Sequence, residues 1–199
     1  MNQNFYQTIE KRRSFYSITK ESTVSDEYLK NIVRNSLKHS PSAFNSQSAY
    51  AILLLGNHHD KLWSLTLDIL EKIVSQENFK KTKDRIHSFL NGYGSVLFFE
   101  NEQAVFALQK KFPSFKDNFP IWSQQSNAML QYVVWCSFCL EGLGASLQHY
   151  NPLIDERVKE QWNVPEHYKL IAQMPFGKPI NEPKEKDFQP IEDRFKVFE

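Results

Sequence analysis

Residues 126–152 read "SNAMLQYVVWCSFCLEGLGASLQHYNP" and decide between two ways of folding this chain. From Ser126 to Leu143 the segment is apolar almost all round, broken only by Gln131, Ser137 and Glu141. A membrane span asks for roughly 20 apolar residues with few polar breaks, so the pattern predicts a helix buried in a protein core. Gly142 and Gly144 end it, and "ASLQHYNP" follows as a short strand and turn. The same stretch contains "GLGASL", which with "GYGSVL" at 92–97 begins like a dinucleotide-binding loop. Both lack the third glycine, and neither lies between a strand and a helix in that order. Without that fingerprint a doubly wound sheet loses its support, and an α+β fold is expected.

Toward the C-terminus, "VKEQWNVP" (158–165) closes a further helix and "YKLIAQMPFGKP" (168–179) is a last strand ending in a Gly-Lys-Pro turn. Residues 180–199 are charged and lack core periodicity, so this arm is expected to extend away from its own subunit. Toward the N-terminus, "FPSFKDNFPIWSQQ" (112–125) carries aromatics without a period and reads as an irregular lid or interface. Residues 103–111 suggest a helix, "SVLFFE" (95–100) a buried strand, and the lysine-rich stretch before it, to about residue 88, a polar connection. Leu62, Leu65, Ile69 and Ile73 lie on one helical stripe over 60–75, and "YAILLL" (50–55) is a buried strand. Leu29, Ile32, Val33 and Leu37 mark an amphipathic helix with Ser25 as its N-cap. Phe5 and Ile9 predict a short helix over 4–13 that ends in Lys11, Arg12 and Arg13, cations suited to a helix C-terminus. One domain over 1–199 is expected, with four strands.

Lys and Arg number 24 against 23 Asp and Glu, so the chain has no positive excess to bind nucleic acid. Aromatics reach 14 %, with 16 Phe, which implies flat apolar surfaces needing a planar ligand or a partner subunit to cover them. The N-terminal "MNQNFYQTIEKRRSF" has no apolar signal core, and a cytoplasmic protein is expected. Cys136 and Cys139 sit in mid-helix, away from the helix start that would activate a redox pair, and read as two buried thiols. His58, His59 and Asp60 lack a further ligand cluster, so a polar turn opening the next helix is expected there and no metal.

Two motifs carry chemistry. "KRRS" (11–14) reads either as a solvated basic helix end or as a phosphate clamp, since arginine presents a planar fork matched to phosphate oxygens and Ser14 adds a hydroxyl. Lys178 and Arg194 are its candidate helpers. "SPSAFNSQSA" (40–49) is uncharged and crowded with hydroxyls and carboxamides. Ser42, Asn45, Ser46 and Gln47 either bond their own backbone in a turn or read a neutral heterocycle that both donates and accepts, such as the pyrimidine edge of a flavin.

Taken in order, "IEKRRSFYSI", "SPSAFNSQSA", "GLGASLQHYNP", "MPFGKP" and a C-terminal arginine resemble the nitroreductase family of FMN-dependent oxidoreductases over nearly the whole chain. The resemblance is to its short branch, that of the yeast fatty-acid-regulation proteins and their bacterial relatives. It implies a mainly antiparallel sheet flanked by helices, in an intertwined homodimer with exchanged C-terminal arms (180–199) and two FMN sites between the subunits. It implies that Arg12, Arg13 and Ser14 hold the phosphate and ribityl chain with Lys178 and Arg194. Pro41, Ser42, Ala43, Phe44, Asn45 and Gln47 would form the flavin loop, with Ser42 to Asn45 reaching the partner's cofactor and Gln47 nearer its own. Gln148, His149 and Tyr150 would lie along the flavin near N5, with His149 and Tyr150 as substrate contacts, and Gly177 would let the backbone pass close by. The activity implied is ping-pong reduction of nitroaromatics or quinones by NADH or NADPH, with no catalytic side chain required. A flavin-binding stress or lipid-signalling regulator with incidental turnover is the alternative, and a dimeric interaction protein without cofactor a third. The chain departs from better-known branches in having Gln148-His149 where they have Glu-Gly, and in offering no clean match among residues 83–92 for their mid-chain Asn and Lys.

Overall fold

Seven consecutive residues from Gly94 to Glu100 are buried, and only a strand with neighbours on both edges and layers on both faces satisfies such a run. In the computed structural model, which describes residues 5–183 and 185–199, this segment is the central strand β3 (Gly94–Asn101). Strand β2 (Ala49–Leu55) pairs antiparallel on one edge, from Ala49 opposite Glu100 to Leu55 opposite Gly94. On the other edge lies β5 (Tyr168–Pro179), also antiparallel, with a register shift between Phe98 and Phe99. The two-residue strands β1 (Ile18–Thr19) and β4 (Gly144–Ala145) both pair with β5, giving the order β1-β5-β3-β2 with β4 off that path. The sheet has five strands rather than four because β1 and β4 are too short to leave a hydrophobic period. The α+β expectation holds.

Alternation along β3 sends Phe99 to one face and Phe98 to the other. Phe99 enters a core with Leu62, Trp63 and Phe89, beneath α3 (Asn57–Ile73), α4 (Gln76–Leu90) and α7 (Asp155–Trp162). Phe98 joins Leu29, Phe138 and Phe176 beneath α2 (Asp26–His39) and the long α6 (Phe119–Leu140). Ser25 caps α2 by accepting from the amide of Tyr28. The N-terminal helix α1 (Phe5–Lys11) and α5 (Glu102–Lys111) complete the set. Asn4, where the sequence pattern starts α1, lies outside the described residues.

Three expectations are corrected. The lysine-rich connection is the helix α4, whose buried positions are only Ile86 and Phe89, too few to write a stripe into the sequence. The segment 112–125 is irregular only to Asn118; α6 begins at Phe119 with Pro120 in its first turn, where a missing N–H costs nothing. Residues 58–60 do open a helix, α3, but His59 in its first turn is 1 % exposed rather than at a polar surface. Ser95 Oγ lies 2.9 Å from its Nδ1, and Trp63 Nε1 donates to the same Ser95 Oγ at 3.0 Å. Burial lowers the His59 pKa to about 4.

Helix α6 is buried on one side only. Ile121, Met129, Tyr132, Val133 and Leu140 are exposed within the single chain, as are Phe188, Phe195 and Phe198 of the C-terminal arm. Cys136 and Cys139, expected to be buried, are half-buried where α6 meets α1, and burial pushes both thiols up. No helix among the described residues is long and apolar enough to cross a membrane.

Candidate active site

The chain leaves α1 at Lys11 and runs extended through Arg12–Ser17 as a strap beside β4 and β5. Ser14 bridges Ala145, the Phe15 amide donates to the Ala145 carbonyl at 3.0 Å, and the Ile180 amide donates to Ser17 at 3.0 Å. Gly144 makes the fit possible, since a Cβ there would lie 2.8 Å from Phe15 Cβ. The Arg12 guanidinium stacks over Trp135, 4.3 Å from the ring centre, with Tyr132 at 5.9 Å. Its Nε is buried and has no hydrogen-bond partner. Arg12, Arg13, Ser14 and Tyr16 line a half-open cavity of about 550 Å³, bordered on its other side by Asn181, Glu182, Glu185 and Lys186. Asn181 and Lys186 thus border the strap of their own chain, and every described residue from 185 to 199 is exposed.

Along β5 the structure gathers further groups. Gln148 pairs with Gln173 through two backbone hydrogen bonds of 2.7 and 2.9 Å, and its buried side chain donates to Ser146 Oγ at 3.0 Å. His149 is exposed. The Tyr150 amide donates to Gln173 Oε1 at 2.8 Å, and its ring packs edge-on against Trp63 and Phe89. Burial pushes the Tyr150 phenol up, opposed by the charge and hydrogen bond of Arg85. Arg85 also lies 5.2 Å from the Tyr16 ring centre, and no carboxylate among the described residues is within ion-pair distance of it. Sequence reading passed over Arg85 because it sits in the charged run of α4. Its one available signal was position, inside the 83–92 window that lacked a match. Gly177 is required by β1: a Cβ would collide with the carbonyl oxygen of Thr19. Lys178 is paired with Glu21 at 3.0 Å. Arg194 follows a one-turn helix, Ile191–Asp193, in the exposed arm.

The loop from Pro41 to Gln47 is built differently. Ala43–Asn45 form a single tight turn, and Ser42 Oγ accepts from the Gln47 amide at 3.0 Å. Phe44, Asn45 and Gln47 have φ of 53°, 51° and 48°. Three non-glycine residues in the left-handed region within four positions store strain that a surface turn has no reason to carry. Part of the compensation is visible. The Phe44 ring sits 4.8 Å from Phe112, 5.3 Å from Phe119 and 6.1 Å from Trp122, to which it is stacked at 22°. The aromatics of 112–122 thus form the platform on which the loop rests, leaving the side chains of Asn45 and Gln47 exposed.

The two halves line separate hollows of the chain. Ser42 and Gln47 share a groove of about 290 Å³ with Ser126 and Leu130 of α6, whereas Arg12 lies over Trp135 and lines the cavity of the strap.

The fold and the sequence together define a class. The Nitroreductase family profile matches residues 9–178, and the chain belongs to that family, which makes it an oxidoreductase. It is 30% identical over 187 residues to nitroreductase FRM2 of Saccharomyces cerevisiae, with 93% of each chain covered. Nitroreductase CinD of Lactococcus lactis in complex with chloramphenicol superimposes with a TM-score of 0.90 at 36% identity, covering 98% of this chain and all of that one. Its complex with 4-nitrophenol gives 0.89 at the same identity and coverage. A nitroreductase with bound FMN from Desulfitobacterium hafniense, at 15% identity and TM-score 0.71 with both chains fully covered, shares the fold.

Proposed function

We propose that the protein is an FMN-dependent oxidoreductase that draws electrons from NADH or NADPH and delivers them to nitroaromatics or quinones, working as a homodimer in the cytoplasm. The observation that carries this reading is the Arg12–Ser14 strap. A guanidinium stacked on Trp135, with a buried Nε lacking any partner, is preset for an anion in the adjoining cavity, whose size suits a cofactor. Arg12, Arg13 and Ser14 would hold the phosphate and ribityl chain, with Arg194 and Lys178 adding charge. When bound, FMN supplies a two-electron carrier whose N5 accepts hydride and gives it back.

The chain's own residues orient and neutralise. Gln148 is fixed by its pairing with Gln173 and Tyr150 by the bond of its amide to the Gln173 side chain, which would orient the turn that carries His149 toward a bound flavin. Arg85 puts a cation with no carboxylate partner next to Tyr16, suited to the negative charge that reduction creates. The loop Pro41–Gln47 presents uncharged donors and acceptors to a site completed by a second copy, and its lining a hollow separate from that of Arg12 within one chain supports that division. The apolar face of α6 and the exposed arm offer the surface such a dimer buries. Nicotinamide and acceptor would take turns at one aromatic-walled face, which gives ping-pong kinetics. CinD's binding of chloramphenicol and 4-nitrophenol, both nitroaromatic, supports the substrate class.

Anaerobic addition of NADH or NADPH to the yellow protein tests the reading. Bleaching by a nicotinamide and recovery of colour with a quinone or nitroaromatic is the expected result. A yellow protein that neither nicotinamide bleaches would overturn it.

Phe44 provides a separate check on the loop. Its ring contacts are worth about 0.5–1.5 kcal/mol each beyond area burial, and half of its surface is already exposed. Phe44→Ala is expected to raise KM for a nitroaromatic acceptor roughly tenfold by freeing the loop, with FMN still bound. Steady-state kinetics with 4-nitrophenol-type acceptors measures it, and an unchanged KM would remove the platform from the site.

A further inference from the structure

The turn after Gln148 lies where a sheet ladder breaks off. Gly144 stands opposite Gly177, Ala145 opposite Phe176 and Gln148 opposite Gln173, all in one antiparallel register along β5. Carried two residues further, that register would set Tyr150 opposite Ile171. It stops instead where β5 is irregular on its other edge: Phe98 faces Ala172 and Phe99 faces Leu170, so β3 passes over Ile171. A strand with an extra residue bends and its pairing is locally disrupted. The Tyr150 amide is left without a ladder partner, and a partly buried N–H needs another acceptor.

Gln173 supplies it. Its Oε1 accepts from the Tyr150 amide at 2.8 Å and its Nε2 donates to Asn151 Oδ1 at 3.4 Å, while its backbone N–H and carbonyl hold Gln148. One residue, 0 % exposed, thus grips both ends of the turn. A carboxamide buried so deeply costs stability unless its groups are bonded, and an apolar side chain of the same length would fill the space without that cost. The bonds it makes all go to this turn. Within the turn the side chains divide. Gln148 is buried and donates to Ser146, the Tyr150 ring packs on Trp63 and Phe89, and His149 is exposed.

We infer that Gln173 is a positioning residue of the site: its buried carboxamide stands in for the broken ladder and sets the place of the His149–Tyr150 turn, and through the turn the rate at which bound flavin is reduced. The inference rests on the reading of that turn as a flavin contact. Gln173 touches no reacting atom, and the Arg12–Ser14 strap makes no hydrogen bond to it. Loss of the carboxamide therefore slows flavin reduction and leaves cofactor binding in place.

Amide hydrogen exchange of the full chain and the rate of anaerobic flavin bleaching by a nicotinamide test this together. In Gln173→Met, which keeps the length of the side chain, the Tyr150 amide is expected to lose its protection while the Gln148 amide, held by the backbone of residue 173, keeps its own. Bleaching at saturating nicotinamide should slow by roughly tenfold or more, since a small misplacement in a site can cost that much. The half-saturating nicotinamide concentration and the FMN dissociation constant should change little, which sets a lost positioning contact apart from lost binding. Gln173→Glu, which still offers the Tyr150 amide an acceptor, should keep that protection and recover part of the rate. It carries the test if Gln173→Met does not fold: a Tyr150 amide that Gln173→Glu leaves protected, with bleaching nearer the wild type than in Tyr150→Ala, is the expected result. A Tyr150 amide still protected in Gln173→Met, or a freed turn with undiminished bleaching, overturns the proposal. A protein that takes up no FMN overturns the flavin reading and the catalytic role together, and the exchange at Tyr150, read without cofactor, still shows whether Gln173 anchors the turn.

Discussion

Arg12→Ala is expected to weaken FMN binding by roughly two orders of magnitude. Truncating one member of a desolvated, hydrogen-bonded charge pair costs about 2–5 kcal/mol, and three features place Arg12 in that range rather than among exposed ion pairs. Its guanidinium is held over Trp135 before any ligand arrives, so little side-chain entropy is lost on binding. Its buried Nε has no other partner to fall back on. Tyr132, 5.9 Å away, is a second aromatic neighbour of the guanidinium. Neighbouring cations limit the loss, since Arg13 lines the same cavity. Arg12→Lys should recover only part of the affinity, because an ammonium keeps the charge but neither the fork nor the stacking. Fluorescence titration of the apoprotein with FMN measures both variants, and a dissociation constant unchanged in Arg12→Ala would contradict the clamp.

Acid should destabilise the protein through His59. The folded pKa is about 4 against an ordinary value of 6.5, so between those values the unfolded chain binds a proton that the folded chain does not. Stability from this group is complete above the unfolded value and is lost as pH falls through the window. At about 1.4 kcal/mol per unit, the loss approaches roughly 3 kcal/mol near pH 4. The cause is local: the ring is buried, Nδ1 faces Ser95, and Nε2 lies 3.4 Å from the Leu90 carbonyl, an arrangement suited to the neutral Nε2–H tautomer. Glu100 and Asp155 act in the opposite sense, since burial raises both carboxyls and favours the folded state as they protonate. The His59 contribution is therefore read as a difference. Urea unfolding at several pH values should show a steeper fall in the wild type than in His59→Gln, which cannot ionise. Parallel pH profiles for the two would show that His59 does not drive the acid response.

The elements legible in the sequence were those whose whole period faced one core. Helix α2 carried its stripe and its Ser25 cap, and β3 carried an unbroken apolar run. Helix α4 was not legible because it buries only Ile86 and Phe89 among lysines. The start of α6 was hidden by Pro113 and Pro120, which mark breaks in one context and a helix first turn in another. The site was legible where residue type carried the meaning, as in Arg12-Arg13-Ser14. It was illegible where conformation did: nothing in Ala43-Phe44-Asn45, which has no glycine, announces a left-handed backbone. The burial of His59 was missed for a related reason: its polarity looks like surface until α3 packs on the sheet, and only then does Ser95 emerge as its partner.

Native mass spectrometry of the protein purified without added cofactor is the most direct test of a flavin site shared between two copies of the chain. The predicted mass is that of two chains carrying two FMN. A cofactor-free monomer that takes up no FMN when it is supplied would contradict it.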